Sequence, residues 1–137
     1  MINRYLIEDL SDKAFEEARG KIFSEPPTDT SYTDMDFRKQ VVIAVEYLPG
    51  QFDQRASSAE ECLQFIAPDE KPTVKSAVIY ILEGELSNEE LEKIKDYLIN
   101  PVESREASLG VPATLKAKYP DPAPVATIKN FINYTDA

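Results

Sequence analysis

The chain has 137 residues, 42% hydrophobic and 29% charged, with a net charge of −10, a balance that fits one soluble globular domain able to bury a core. It has no histidine, and Cys62 is its one cysteine, which removes imidazole-dependent catalysis, an internal disulfide and a thiolate zinc site. It carries no basic run to neutralise phosphates, no apolar run near the ~20 residues of a membrane helix, and no leader-type pattern after Met1, so nucleic acid and membrane are not expected as partners and a cytoplasmic location is.

Ile2 to Leu10 reads as a strand with mixed faces. Ser11 is placed to cap a helix whose apolar stripe is Ala14, Phe15, Ala18 and Ile22, with Glu25-Pro26-Pro27 as its stop. Asp29 to Phe37 alternates loosely and is expected as a strand, joined through Arg38-Lys39-Gln40 to the next in an antiparallel hairpin. Val41 to Leu48 is apolar but for Glu46 and closes on Pro49-Gly50, the pattern of a core strand. The loop Gly50 to Ala56 sets four polar side chains around one Phe. Ser57 with Glu60, or Ser58 with Glu61, fits a capping box for a helix whose apolar face is Ala59, Cys62, Leu63 and Ile66. Pro68 to Pro72 is a loop.

The following run, Thr73 to Leu82, alternates Val74, Ser76, Val78, Tyr80 and Leu82 against Ala77, Ile79 and Ile81 and is expected to be covered on both faces. Ser87 and Glu90 form a second capping box, Leu91, Ile94 and Leu98 a stripe, and Asn100-Pro101 a stop. Val102 to Ser108 reads as a short edge strand. From Gly110 to Ala137 no period persists and prolines cluster, so 110–137 is expected as an extended linker, with Leu115, Tyr119 and Ile128 as anchors to the domain.

Two stretches share a plan. Ser11 and Ser87 take the same cap position 76 residues apart, and at that offset Leu6 meets Leu82, Leu10 meets Leu86, Phe15 meets Leu91, Ala18 meets Ile94 and Ile22 meets Leu98. The expectation is an α+β fold: a two-layer α/β sandwich with a mostly antiparallel sheet, about three helices on one face, and duplicated strand–helix units. Residues 1–109 would form the domain, with an incomplete first half (1–37) and a second half (40–109). A flanking strand is then expected to be missing, and the unpaired sheet edge should favour self-association.

Few residues offer chemistry. Cys62, on the apolar face, reads as a buried and inert thiol. Glu60-Glu61 and Glu89-Glu90 fall where first-turn carboxylates serve caps and dipole rather than acid–base work. The four glycines do not cluster, so no phosphate-cradling loop is present. Gln51, Gln54 and Arg55 are the best candidates, Arg55 suiting a carboxylate or phosphate; the alternative is that they only tie the loop to its neighbours.

The segments YLPGQFDQRA and NPVESREASL, with IFSEPPTDTSY in the first half, resemble the N-terminal region of phosphoribosylformylglycinamidine synthase in its long single-chain, clostridial-type form. The resemblance runs from Asn3 to Phe131. It implies a small-subunit-like domain of a purine-biosynthetic ligase that amidates formylglycinamide ribonucleotide with ATP and glutamine-derived ammonia. Residues 1–109 would be a non-catalytic assembly domain that couples the synthetase and glutaminase domains, its partners. ATP and magnesium are implied for the parent enzyme and no cofactor for this segment. Pro49, Gly50, Gln51, Gln54 and Arg55 are implied as interface residues, with no catalytic and no metal-binding residue. A free-standing module that binds an anionic metabolite or regulates a protein partner is the alternative.

Overall fold

A computed structural model describes residues 1–38, 40–116 and 121–125. The elements in chain order are β1 (Ile2–Glu8), α1 (Asp12–Arg19), β2 (Val41–Tyr47), α2 (Gln54–Ile66), β3 (Thr73–Leu82), α3 (Asn88–Leu98) and β4 (Ser104–Glu106). The four strands make one antiparallel sheet in the order β1-β3-β2-β4. The fold is α+β, as expected. No helix among the described residues is long and apolar enough to cross a membrane.

Register decides which residues share a face. Ile7 stands opposite Val74 and Tyr5 opposite Ser76. Tyr5, Ile7 and Val74 therefore project together, and they meet Ala18 of α1 and Ala56, Ala59 and Leu63 of α2 in the core. Small residues at the α1–α2 contact let the two helices approach closely. Tyr5 and Phe15 both pack against Phe23 just beyond α1, with ring centroids 5.1 and 6.3 Å apart. Lys95 of α3 pairs with Glu106 at 3.0 Å, and Glu106, opposite Val45, projects from this same face.

The other face carries Ile2, Arg4, Leu6 and Glu8 beside Ala77, Ile79 and Ala44. The chain after β4 returns across it. The Ala107 N–H bonds to the Ala44 carbonyl. The Arg4 guanidinium then donates to the carbonyls of Ser108 and Gly110 at 2.8 and 3.0 Å. Glu8 accepts from the Thr114 hydroxyl and from the Leu115 N–H, the latter at 2.6 Å. Lys116 pairs with Asp9 at 2.5 Å. This strap runs alongside β1 and leaves Leu115 only 5% exposed. Leu115 is thus an anchor, as expected; Tyr119 and Ile128 lie outside the described residues.

Three departures from expectation concern the first helix, the segment before β2 and the repeat. Gly20 caps α1, and the N–H groups of Lys21, Ile22 and Phe23 all converge on the Ala18 carbonyl, so the helix stops well before Pro26. Asp29–Phe37 is irregular and not a strand. β4 pairs with the second side of β2 only from Val45 to Tyr47, and the 28–38 segment lies instead across a cleft from β1. The strand–cap–helix plan recurs locally, with Ser11 and Ser87 both extended at the cap, but the packing of the two units differs. α1 buries Ala14 and Ala18, whereas α3 buries no residue fully. The second half of each cap differs too. Glu90 answers Ser87 from its own helix. At the same position after Ser11 the chain has Ala14, and Glu70 supplies the carboxylate instead, accepting from the Ser11 N–H and hydroxyl at 2.7 Å each.

Candidate functional site

The corner between β2 and α2 holds the residues singled out from the sequence. β2 ends at Tyr47, and the Leu48 N–H bonds to the Glu103 carbonyl at 2.9 Å. The chain then reverses through Leu48-Pro49-Gly50-Gln51, closed by the Gln51 N–H on the Leu48 carbonyl at 3.0 Å. Proline fixes the first corner of this turn, and Gly50 takes the second at φ +92°, the arrangement of a type II turn. The Gln51 amide donates to the Val102 carbonyl at 3.3 Å. The turn is thereby tied to the segment that leads into β4.

Asp53 fixes the rest. One carboxylate oxygen accepts the Ala56 N–H and the Ser76 hydroxyl, both at 2.9 Å; the other accepts the Ser76 N–H at 2.9 Å. A single side chain therefore starts α2 and satisfies the β3 backbone just where β2–β3 pairing ends. The expected caps, Ser57 and Ser58, lie inside α2, which begins one turn earlier. Glu60 and Glu61 are accordingly not first-turn residues. Glu60 accepts the Val74 N–H at 2.7 Å, a second clamp from α2 to β3.

The earlier cap goes with a different buried face. Ala56, Ala59 and Leu63 are inside, while Cys62 is exposed, contrary to expectation. Neighbouring helical residues are ~100° apart, so with Leu63 at the centre of the stripe Cys62 falls off its edge.

The five expected interface residues do not form one cluster. Pro49, Gly50 and Gln51 sit at the turn, beside the segment before β4. Gln54 and Arg55 lie in the first turn of α2, both exposed. Arg55 reaches to the opposite edge of the sheet and donates to the Tyr5 hydroxyl at 3.3 Å. That bond raises its pKa. Around Arg55 lies a shallow polar cleft of about 340 Å³ that also takes in Glu25 and Asp29. Lys21 lines it as well, its ammonium paired with Glu17 at 2.8 Å, so the cleft carries both signs of charge and no cationic surplus.

The residues missed from the sequence are apolar. Phe52 is 72% exposed, Val102 76% and Tyr47 46%, and all three flank the turn. The available signal was a phenylalanine set among polar residues in a loop; Val102 could not be joined to it without the Gln51 and Leu48 bonds. Among the described residues no group of three or more carboxylate or thiol side chains could hold a metal ion. No protein-family model, no curated protein and no solved structure matches this chain.

Proposed function

We propose that this chain is the non-catalytic N-terminal assembly domain of a phosphoribosylformylglycinamidine synthase. Its neighbouring domains would dock on the corner formed by Tyr47–Asp53 and Val102. One juxtaposition supports the reading. The two segments with the most specific resemblance, YLPGQFDQRA (residues 47–56) and NPVESREASL (residues 100–109), are distant in the chain. They nevertheless meet at one corner, through the Leu48–Glu103 and Gln51–Val102 bonds. The turn, the Asp53 clamp and the Gln51 bond hold Phe52 and Val102 out to solvent on a rigid base, as a docking surface requires.

The role is positional. The domain would order the glutaminase and synthetase domains so that ammonia passes between them without escaping to water. The test fuses this chain to those two domains and compares glutamine-driven with ammonia-driven turnover. Phe52→Asp and Val102→Asp should lower the glutamine-driven rate and leave the ammonia-driven rate intact. Equal glutamine-driven rates in wild type and both variants would overturn the reading.

A further inference from the structure

We propose that β1 is a self-pairing edge, and that two copies of this chain join antiparallel through it, merging their four-stranded sheets into one continuous sheet. The backbone geometry identifies the open positions. Val74 and Ser76 send their N–H groups to Glu60 and Asp53, not to β1, and Ile7 and Tyr5 stand opposite them. In an antiparallel ladder, facing residues either exchange both bonds or neither. Tyr5 and Ile7, and by alternation Asn3, therefore turn N–H and C=O outward. No backbone group among the described residues pairs with them there.

The two edges of the sheet differ. β4 is three residues long and carries the Arg105–Glu46 and Lys95–Glu106 ion pairs, features that blunt an edge. β1 is seven residues long, with no lysine or proline. Its two charged side chains, Arg4 and Glu8, are held against the strap. An open cleft of about 1090 Å³ lies between this strand and the 28–38 segment, which is tied back by Arg19 to Ser31 at 3.0 Å.

The strand is complementary to itself. Only registers that set outward residues opposite outward residues can bond. With Leu6 on the twofold axis, Tyr5 faces Ile7, and each Arg4 comes beside a Glu8 of the other copy, so no like charges meet while both side chains stay on the strap. Moving the axis to Arg4 would set two arginines against each other, and moving it to Tyr5 would set Arg4 against Leu6. Among the registers that can bond, the Leu6-centred one is thus the one that neither opposes like charges nor sets a charge against an apolar side chain.

Sedimentation of the whole chain from low to high micromolar concentration tests this. The expected result is a monomer–dimer equilibrium. Asn3→Pro, which removes an outward N–H and no bond to β3, should weaken it at least ~10-fold, since proline blocks approach to a strand edge. Leu6→Cys in a Cys62→Ser background should form a disulfide-linked dimer on oxidation, because facing Cβ atoms there would lie ~4.5–5.5 Å apart; Tyr5→Cys in that background should link poorly. If Asn3→Pro fails to fold, the crosslinking result decides. A monomer at every concentration, or a dimer in which Leu6→Cys does not crosslink, overturns the proposal.

Discussion

Replacing Asp53 with alanine should be among the most damaging changes outside the core of this protein. The carboxylate accepts three hydrogen bonds, from the Ala56 N–H, the Ser76 N–H and the Ser76 hydroxyl. Losing an N-cap costs about 1 kcal/mol. The Ser76 N–H, partly buried and left without an acceptor, adds about 1–2 kcal/mol. The sum, about 2–3 kcal/mol, should lower the urea midpoint at unchanged slope and the Tm by roughly 10 °C. Asp53→Asn keeps one acceptor oxygen, which can serve the cap or the strand but not both, so it should lose about half as much. Combining Asp53→Ala with Ser76→Ala should give less than the sum of the single losses, by ~0.5–1 kcal/mol. A loss under ~1 kcal/mol for Asp53→Ala would refute the idea that this side chain joins α2 to β3.

Other substitutions probe the core, the strap and the caps. Leu63 is fully buried, so Leu63→Ala should cost about 2–5 kcal/mol in chemical denaturation. Cys62→Ser, on the exposed side of the same helix, should change stability by no more than ~0.5 kcal/mol, and the native Cys62 thiol should react with a soluble thiol reagent without denaturant. Arg4→Ala removes the donor to Ser108 and Gly110, so limited proteolysis between Ser108 and Lys116 should accelerate while the urea midpoint moves little. Ser11 and Ser87 hold the Glu70 and Glu90 carboxyls below their ordinary value of 4.5. A carboxyl lowered by folding adds stability above its unfolded pKa, and that stability is lost as pH falls through the folded one. Stability should therefore decline below about pH 4.5, and Glu70→Gln with Glu90→Gln should flatten that decline.

Short-range chemistry determined much of this protein from its sequence. The Ser87–Glu90 capping box, β3 with its alternation, the Pro49–Gly50 turn and the short β4 each depend on residues a few positions apart, and each stands where the sequence placed it. Tertiary structure decided what depends on distant partners. Asp53 takes the α2 cap while Ser76 shares its carboxylate, and in that arrangement Cys62 is exposed. Glu70 completes the Ser11 cap that Ala14 cannot. Asp29–Phe37 has the alternation of a strand but lies across a cleft from β1 instead of pairing with β2. The candidate site divides the same way: its polar residues were legible in one loop, whereas the Phe52–Val102 surface exists because β4 brings residues 102 and 103 back to the turn. Hydrogen bonds within one turn of chain can be read locally, but pairing across a sheet is fixed only when the whole core closes.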